Sequence, residues 1–138
     1  LLKIVPGCRL TGKVIDLNET PDALPIMAVA ACNADGETRL VNAPQARVKE
    51  TDRIACMTRE LAKMGADVEE LPDGMVSRGG KLHGAEVESY GDHRIAMALA
   101  IAGLTADGET VINDAECASV TYPAFVKDFI RLGADYSY

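Results

Sequence analysis

One pattern, written twice, constrains this chain more than anything else in it. Leu10-Thr-Gly12 returns as Leu82-His-Gly84, Asp35-Gly-Glu-Thr38 as Asp107-Gly-Glu-Thr110, and Met64-Gly-Ala-Asp67 as Leu132-Gly-Ala-Asp135. The separations are 72, 72 and 68 residues. Three matches in register are hard to obtain by chance. They predict two copies of one unit of about 70 residues, repeat one at about 1–71 and repeat two at about 72–138. Between the matches, each copy carries an acidic residue (Asp22, Asp92) followed by a helix-length apolar run.

Each unit reads as strand, helix, strand, helix, which places the chain in the α/β (α+β) class. Leu10–Ile15 and Leu82–Val87 are predicted strands. Residues 23–33 and 95–104 are predicted helices apolar all round, hence buried on every side, with Pro25 tolerated in a first turn. Thr38–Val41 and Thr110–Ile112 are rich in β-formers. The second helices are amphipathic. In residues 51–64, Ile54, Met57, Leu61 and Met64 share a face, and Gly65 closes the helix. In residues 122–132, Phe125, Val126, Phe129, Ile130 and Leu132 form the apolar side, with Thr121 as N-cap, Pro123 just inside and Gly133 at the end. Val68–Leu71 returns as a strand, and Asp73-Gly74 reads as a hairpin turn.

The 138 residues, 48% hydrophobic, suffice for a globular core. The net charge of -7 disfavours nonspecific attachment to nucleic acid or to an anionic membrane, so neither is an expected partner. No apolar stretch is long enough to span a bilayer, and no signal peptide is visible. Cys8, Cys32, Cys56 and Cys117 are widely spaced, without a CxxC pair, which predicts free thiols in a reducing, cytoplasmic compartment. With His83 and His93 as the only histidines, no zinc site is expected. The chain begins at Leu1 without a methionine, as a fragment or processed product would.

The chemistry-bearing residues fall at helix starts. Asp22 opens the first buried helix, Asp92-His93-Arg94 opens its counterpart, and Arg47-Val-Lys49-Glu50-Thr-Asp52-Arg53 leads into the first amphipathic helix. If the repeats pack side by side, these starts share one end of the domain. Arg47, Lys49, Arg53 and Arg94 then gather near free backbone N–H groups, which is an anion site. Asp22 and Glu50 add two carboxylates able to move protons. Plainer readings exist: Asp22 alone fits an ordinary helix start, and Lys49–Arg53 a solvated first turn with ion pairs. The charged triplet before a wholly apolar helix is harder to dismiss, because it must face solvent, a partner or a ligand. His83 reads as an exposed loop or edge residue, and Arg9, Lys13, Lys63 and Lys127 as surface charges.

Arg47-Val-Lys-Glu-Thr-Asp-Arg53 and Gly91-Asp-His-Arg-Ile-Ala-Met97 resemble the two signature segments of the C-terminal part of EPSP synthases. Pro21-Asp-Ala-Leu-Pro25 resembles the family's active-site aspartate segment, and Val120-Thr-Tyr-Pro-Ala-Phe125 its last segment. The resemblance covers essentially the whole chain. It implies a lobe of βαβαββ repeats with helices inside and sheets outside, of which this chain holds two of three. It also implies enolpyruvyl transfer from phosphoenolpyruvate to the 5-hydroxyl of shikimate 3-phosphate, releasing phosphate, with no cofactor and no metal. Under it, Asp22 is the base toward the hydroxyl, and Glu50 and Lys49 handle proton transfer. Arg53, His93 and Arg94 hold phosphoenolpyruvate, and Gln45 and Arg47 are further substrate contacts.

Two positions depart from the family pattern. Gln45 stands where many members carry Asn, and Val120 where some carry a phosphoenolpyruvate-binding Lys. The isolated chain is expected to be inactive without the N-terminal lobe, and to self-associate through apolar faces made to meet the absent repeat. Two other readings fit the same residues: a UDP-N-acetylglucosamine enolpyruvyl transferase, which should lack this pair of signatures, and a non-catalytic phosphate-binding or assembly domain of the same fold.

Overall fold

The structure, a computed structural model, describes residues 9–137. Cys8 and the start of the first repeat lie outside the described residues. Strand β1 (Val14–Asp16) leads through a 3₁₀ turn at Pro21–Ala23 into helix α1 (Leu24–Cys32), strand β2 (Thr38–Val41) and a 3₁₀ helix at Pro44–Val48. Helix α2 (Arg53–Lys63) and strands β3 (Val68–Leu71) and β4 (Gly74–Ser77) complete a β-α-β-α-β-β series. The second series runs β5 (Glu86–Glu88), α3 (His93–Thr105), β6 (Val111–Asn113), a 3₁₀ helix at Ala115–Val120 and α4 (Phe125–Arg131).

The repeat written in the sequence recurs in the backbone pairing. β1 and β2 pair in parallel with Val14 opposite Arg39 and Asp16 opposite Val41. β5 and β6 pair in parallel with Glu86 opposite Val111 and Glu88 opposite Asn113, each residue displaced by the same 72 positions. The Gly12 amide donates to Asp35 O at 2.7 Å and the Gly84 amide to Asp107 O at 2.8 Å. A Cβ on either glycine would run into the carbonyl oxygen of Glu37 or Glu109, so only glycine lets the two backbones approach this closely. Asn42 and Asp114, also 72 apart, both take positive φ, 61° and 54°.

Helices occupy the centre. α1 packs against α3, α2, β2 and β4, and α3 also meets the 3₁₀ helix at Ala115–Val120. Alanines at the α1 and α3 positions Ala28, Ala31, Ala98 and Ala102 are buried, and small side chains allow close helix axes. Leu24, Leu40, Ile54, Met57, Leu61, Ile95 and Leu99 fill the rest of the core. Cys32 and Cys56 are buried free thiols, and Cys117 is a half-buried one.

The structure departs from the sequence reading at several element ends. The ladder begins at Val14 and Glu86, because Leu10–Gly12 and Leu82–Gly84 make only an isolated bridge each, to Asp35 and Asp107. Burial on every side fails at Ile26 of α1 and Leu104 of α3, which face outward. Thr121 is not the N-cap of α4: it ends the preceding 3₁₀ helix, its amide bonded to Ala118 O, and α4 starts after Ala124. The β3–β4 turn is made by Pro72 and Asp73, and Gly74 already pairs with Leu71. The first sheet, ordered β1-β2-β4-β3, therefore draws in Gly74–Ser77, beyond the boundary near residue 71 read from the repeat. β4 is tied to β2 and β3 on its two edges and cannot belong elsewhere.

The second sheet has only β5 and β6 among the described residues. A groove of about 950 Å³ runs along the free side of β6, between α3, Phe125 and Tyr136. Thr110 lines it with a buried hydroxyl that has no hydrogen-bond partner. Its counterpart Thr38 sits opposite Ser77 of β4.

Candidate active site

Three chain segments meet at one end of the helical layer: the turn carrying Asp22, the stretch Lys49–Asp52 before α2, and the Asp92-His93-Arg94 start of α3. Arg53, the first residue of α2, ties them together. Only 1% exposed, it donates Nε to Asp92 Oδ2 at 2.8 Å and Nη2 to Asp92 Oδ1 at 3.2 Å. Its Nη1 reaches Asp22 Oδ1 at 2.9 Å and its Nη2 reaches Glu50 Oε2 at 2.5 Å. Asp92 is 0% exposed. It caps α3 by accepting the Arg94 amide at 2.9 Å and also accepts the Thr51 hydroxyl at 3.2 Å. One guanidinium thus joins the start of a helix in the first repeat to the start of a helix in the second. The planar fork suits this bridging, which a point-charge ammonium does not reproduce.

The outer rim is more open. Lys49 Nζ lies 3.4 Å from Asp22 Oδ1 and Arg94 Nη2 lies 3.6 Å from Asp22 Oδ2. His93 is buried, its Nδ1 3.9 Å from Glu50 Oε1. Asp22, Glu50, Lys49 and Arg94 all keep part of their side chains in solvent. Carboxylates Asp22, Glu50 and Asp92 are thereby balanced by cations Lys49, Arg53 and Arg94. Burial works against ionised Asp92, but the Arg53 guanidinium, the Arg94 amide and Thr51 outweigh it and hold the carboxyl below its usual range. Partial desolvation likewise opposes ionised Asp22, and Lys49, Arg94 and Arg53 together pull it below that range.

The candidates named from sequence therefore divide. Asp22, Lys49, Glu50, Arg53, His93 and Arg94 converge, although Arg53 is an internal link rather than a free cation. Arg47 belongs to another set. It donates to the Leu71 and Pro72 carbonyls at 2.6 and 2.7 Å and pairs with Asp52 and Glu70 at 2.7 and 2.8 Å, stapling the β3–β4 hairpin. Gln45 donates to Asn18 Oδ1 at 3.2 Å on the adjoining 3₁₀ helix, which packs against the Asp22 turn. Val120 is 76% exposed at the end of its 3₁₀ helix. His83 is exposed. Two residues escaped the sequence reading: Glu60, buried on α2, and Tyr90, just before the Asp92 turn. The signal was present, since Arg53, Met57, Glu60 and Met64 fall on one helical face, an apolar stripe with a charge at two positions.

Fold and site define a repeat-built α/β protein whose units meet at a self-neutralised cluster of cations and carboxylates. The family model described as EPSP synthase (3-phosphoshikimate 1-carboxyvinyltransferase) matches residues 3–129. A 3-phosphoshikimate 1-carboxyvinyltransferase of Ruminiclostridium cellulolyticum is 66% identical over 129 residues, which is 94% of this chain and 31% of that protein. That of Acetivibrio thermocellus is 59% identical over 133 residues, 96% of this chain and 31% of the relative. Among solved structures, EPSP synthase from Acinetobacter baumannii superposes with a TM-score of 0.83 at 36% identity, over 89% of this chain and 30% of that one. The chain belongs to the EPSP synthase family, and it spans about a third of the length of the curated relatives it matches. The enolpyruvyl transferase NikO from Streptomyces tendae shares the fold, with a TM-score of 0.73 at 21% identity. No helix among the described residues is long and apolar enough to cross a membrane.

Proposed function

We propose that this chain supplies part of the active site of an enzyme that transfers the enolpyruvyl group of phosphoenolpyruvate to the 5-hydroxyl of shikimate 3-phosphate. The observation that carries the reading is the convergence of Asp22, Lys49, Glu50, Arg53, His93 and Arg94 at one end of the helical layer. It is supported by family membership and by the names of the relatives. In the reaction, the hydroxyl oxygen bonds to C2 of phosphoenolpyruvate and a proton goes to the methylene carbon. A proton then leaves the new methyl group, the double bond re-forms and phosphate departs. The step needs one group to take the hydroxyl proton, one to give and retake the carbon-bound proton, and cations for the anionic groups.

Asp22 fits the first role, but as it stands Lys49, Arg53 and Arg94 depress its basicity. Lys49 and Arg94 sit at 3.4 and 3.6 Å from it, on partly exposed side chains. Incoming phosphate and carboxylate groups compete for those two cations, and each one drawn away returns basicity to Asp22. Glu50 fits the second role, with Lys49 beside it. Arg53 orients Asp22 and Glu50 through its ion pairs, while His93 and Arg94 line the anion side. Gln45 is proposed to meet the shikimate 3-phosphate. Arg47 is proposed to act through the hairpin it staples. A cytoplasmic location is in keeping with the free thiols.

Three expectations follow. The 138-residue chain alone shows no phosphate release with both substrates, because most positioning groups lie in the rest of the enzyme. A chimaera in which the chain replaces the matching third of the Ruminiclostridium cellulolyticum relative turns over. Turnover by the chain alone refutes its dependence on the rest of the enzyme, whereas an inert but folded chimaera sinks the reading and leaves a non-catalytic anion-binding domain. The exposed Val14, Leu104, Val111 and Leu132 favour association of the isolated chain. Light scattering is expected to show growth in mass with concentration, and a clean monomer throughout counts against it.

A further inference from the structure

Helix α2 grips the second repeat at two places. The first is Arg53 on Asp92. The second lies seven residues on, about 10 Å along the axis and on the same face, at Glu60. Its carboxylate is 0% exposed and fully engaged: it accepts the Tyr90 hydroxyl at 2.5 Å, the Lys63 ammonium at 2.6 Å and the Glu88 amide at 3.0 Å. Tyr90 in turn receives Arg59 Nη1 at 3.2 Å, and the Arg59 guanidinium lies 5.9 Å from its ring centroid.

What this second grip holds is the connection from β5 to α3. Tyr90 takes φ 56° and Gly91 takes φ 67°, two successive left-handed residues. For a tyrosine this is an uncommon conformation that persists where surrounding contacts fix it. The next residues are Asp92, His93 and Arg94. The turn is closed from the other side by Ser89, whose hydroxyl donates to Asp114 O at 3.0 Å and accepts the Gly91 amide at 3.2 Å. We propose that Glu60 is a positioning residue: through Tyr90 and the Glu88 amide it sets where the second repeat delivers Asp92, His93 and Arg94 to the site. The functional weight of this rests on the active-site reading above, whereas its geometry does not.

The deciding measurement is two-dimensional NMR on the 138-residue chain, following the Asp92–Arg94 amides and the His93 ring carbon-bound protons. Tyr90→Phe removes one hydroxyl and nothing else, and Glu60→Gln removes the charge at constant shape. Both are expected to shift the three amides and the His93 ring signals while leaving the β1–β2–β4 amides in place. Glu60→Ala shifts them further, and Glu60→Gln restores them partway. Tyr122→Phe, which removes a hydroxyl bonded to Asp128 at 3.0 Å elsewhere, leaves them unmoved. Where Glu60→Gln does not fold, Tyr90→Phe decides alone. Signals at 92–94 that superimpose on wild type while the Glu88 amide moves overturn the proposal. Because no turnover is read, an inert chimaera refutes the enzymatic reading without touching this result.

Discussion

Glu50→Gln in the active chimaera lowers kcat by about 10²–10⁴-fold, the range lost when a positioned proton-transfer group is removed. The substitution keeps the shape of the side chain and its ability to accept from Arg53, so the cluster stays assembled. It removes the capacity to hold and release a proton. Arg53 retains Asp92 at 2.8 Å and Asp22 at 2.9 Å, so little change in the unfolding midpoint accompanies the loss. A drop in kcat with a near-constant KM for phosphoenolpyruvate is the signature of a group that acts in the transition state rather than in binding. Near-wild-type turnover by Glu50→Gln removes Glu50 from the proton-transfer role.

Arg53→Leu destabilises the chain by about 3–5 kcal/mol at pH 7, because it strands the fully buried Asp92 carboxylate. That is a large share of the roughly 5–15 kcal/mol that holds a typical domain together. Urea midpoints measure it. The pH dependence has a definite sign. Asp92 has a depressed pKa when folded, so its pairing contributes fully above the ordinary aspartate value of about 3.9 and is lost as pH falls through the folded value. In Arg53→Leu the buried carboxyl gains from protonation instead. The gap between wild type and variant therefore narrows as pH falls from the variant's raised carboxyl value down to the wild type's depressed one, where a purely steric defect would keep it constant. Replacing Asp92 by Asn in the same chain recovers part of the loss at neutral pH, since the stranded charge is gone.

Features carried by short-range chemistry were legible before any coordinates. The glycines at 12 and 84 and the two Asp-Gly-Glu-Thr segments fix local backbone geometry, and the pairing of β1 with β2 and of β5 with β6 repeats at their spacing. The central placement of α1 and α3 followed from their composition, though not the outward turn of Ile26 and Leu104. The helix start at α4 was not legible, because Thr121 and Pro123 fit a cap equally well whether or not the preceding 3₁₀ helix runs on to Val120. The candidate site divides the same way. That charged residues cluster at helix starts is readable from order along the chain. That Arg53 is saturated by Asp22, Glu50 and Asp92 depends on partners up to 39 residues away and on which face of α2 turns inward. The hairpin partners of Arg47 were hidden for the same reason, since those carbonyls are defined only once β3 and β4 pair.

The Arg53–Asp92 link also limits how this lineage of sequences can be recombined. Repeat-built proteins tend to be modular, because each unit meets its neighbour through a similar interface. Here the junction between units carries a buried charge from each side. Splicing one unit from a relative whose partner residue differs would bury half an ion pair, and the product would be destabilised however well its apolar surfaces matched. The two units therefore work as a matched set, and a splice between them has to keep Arg53 and Asp92 together.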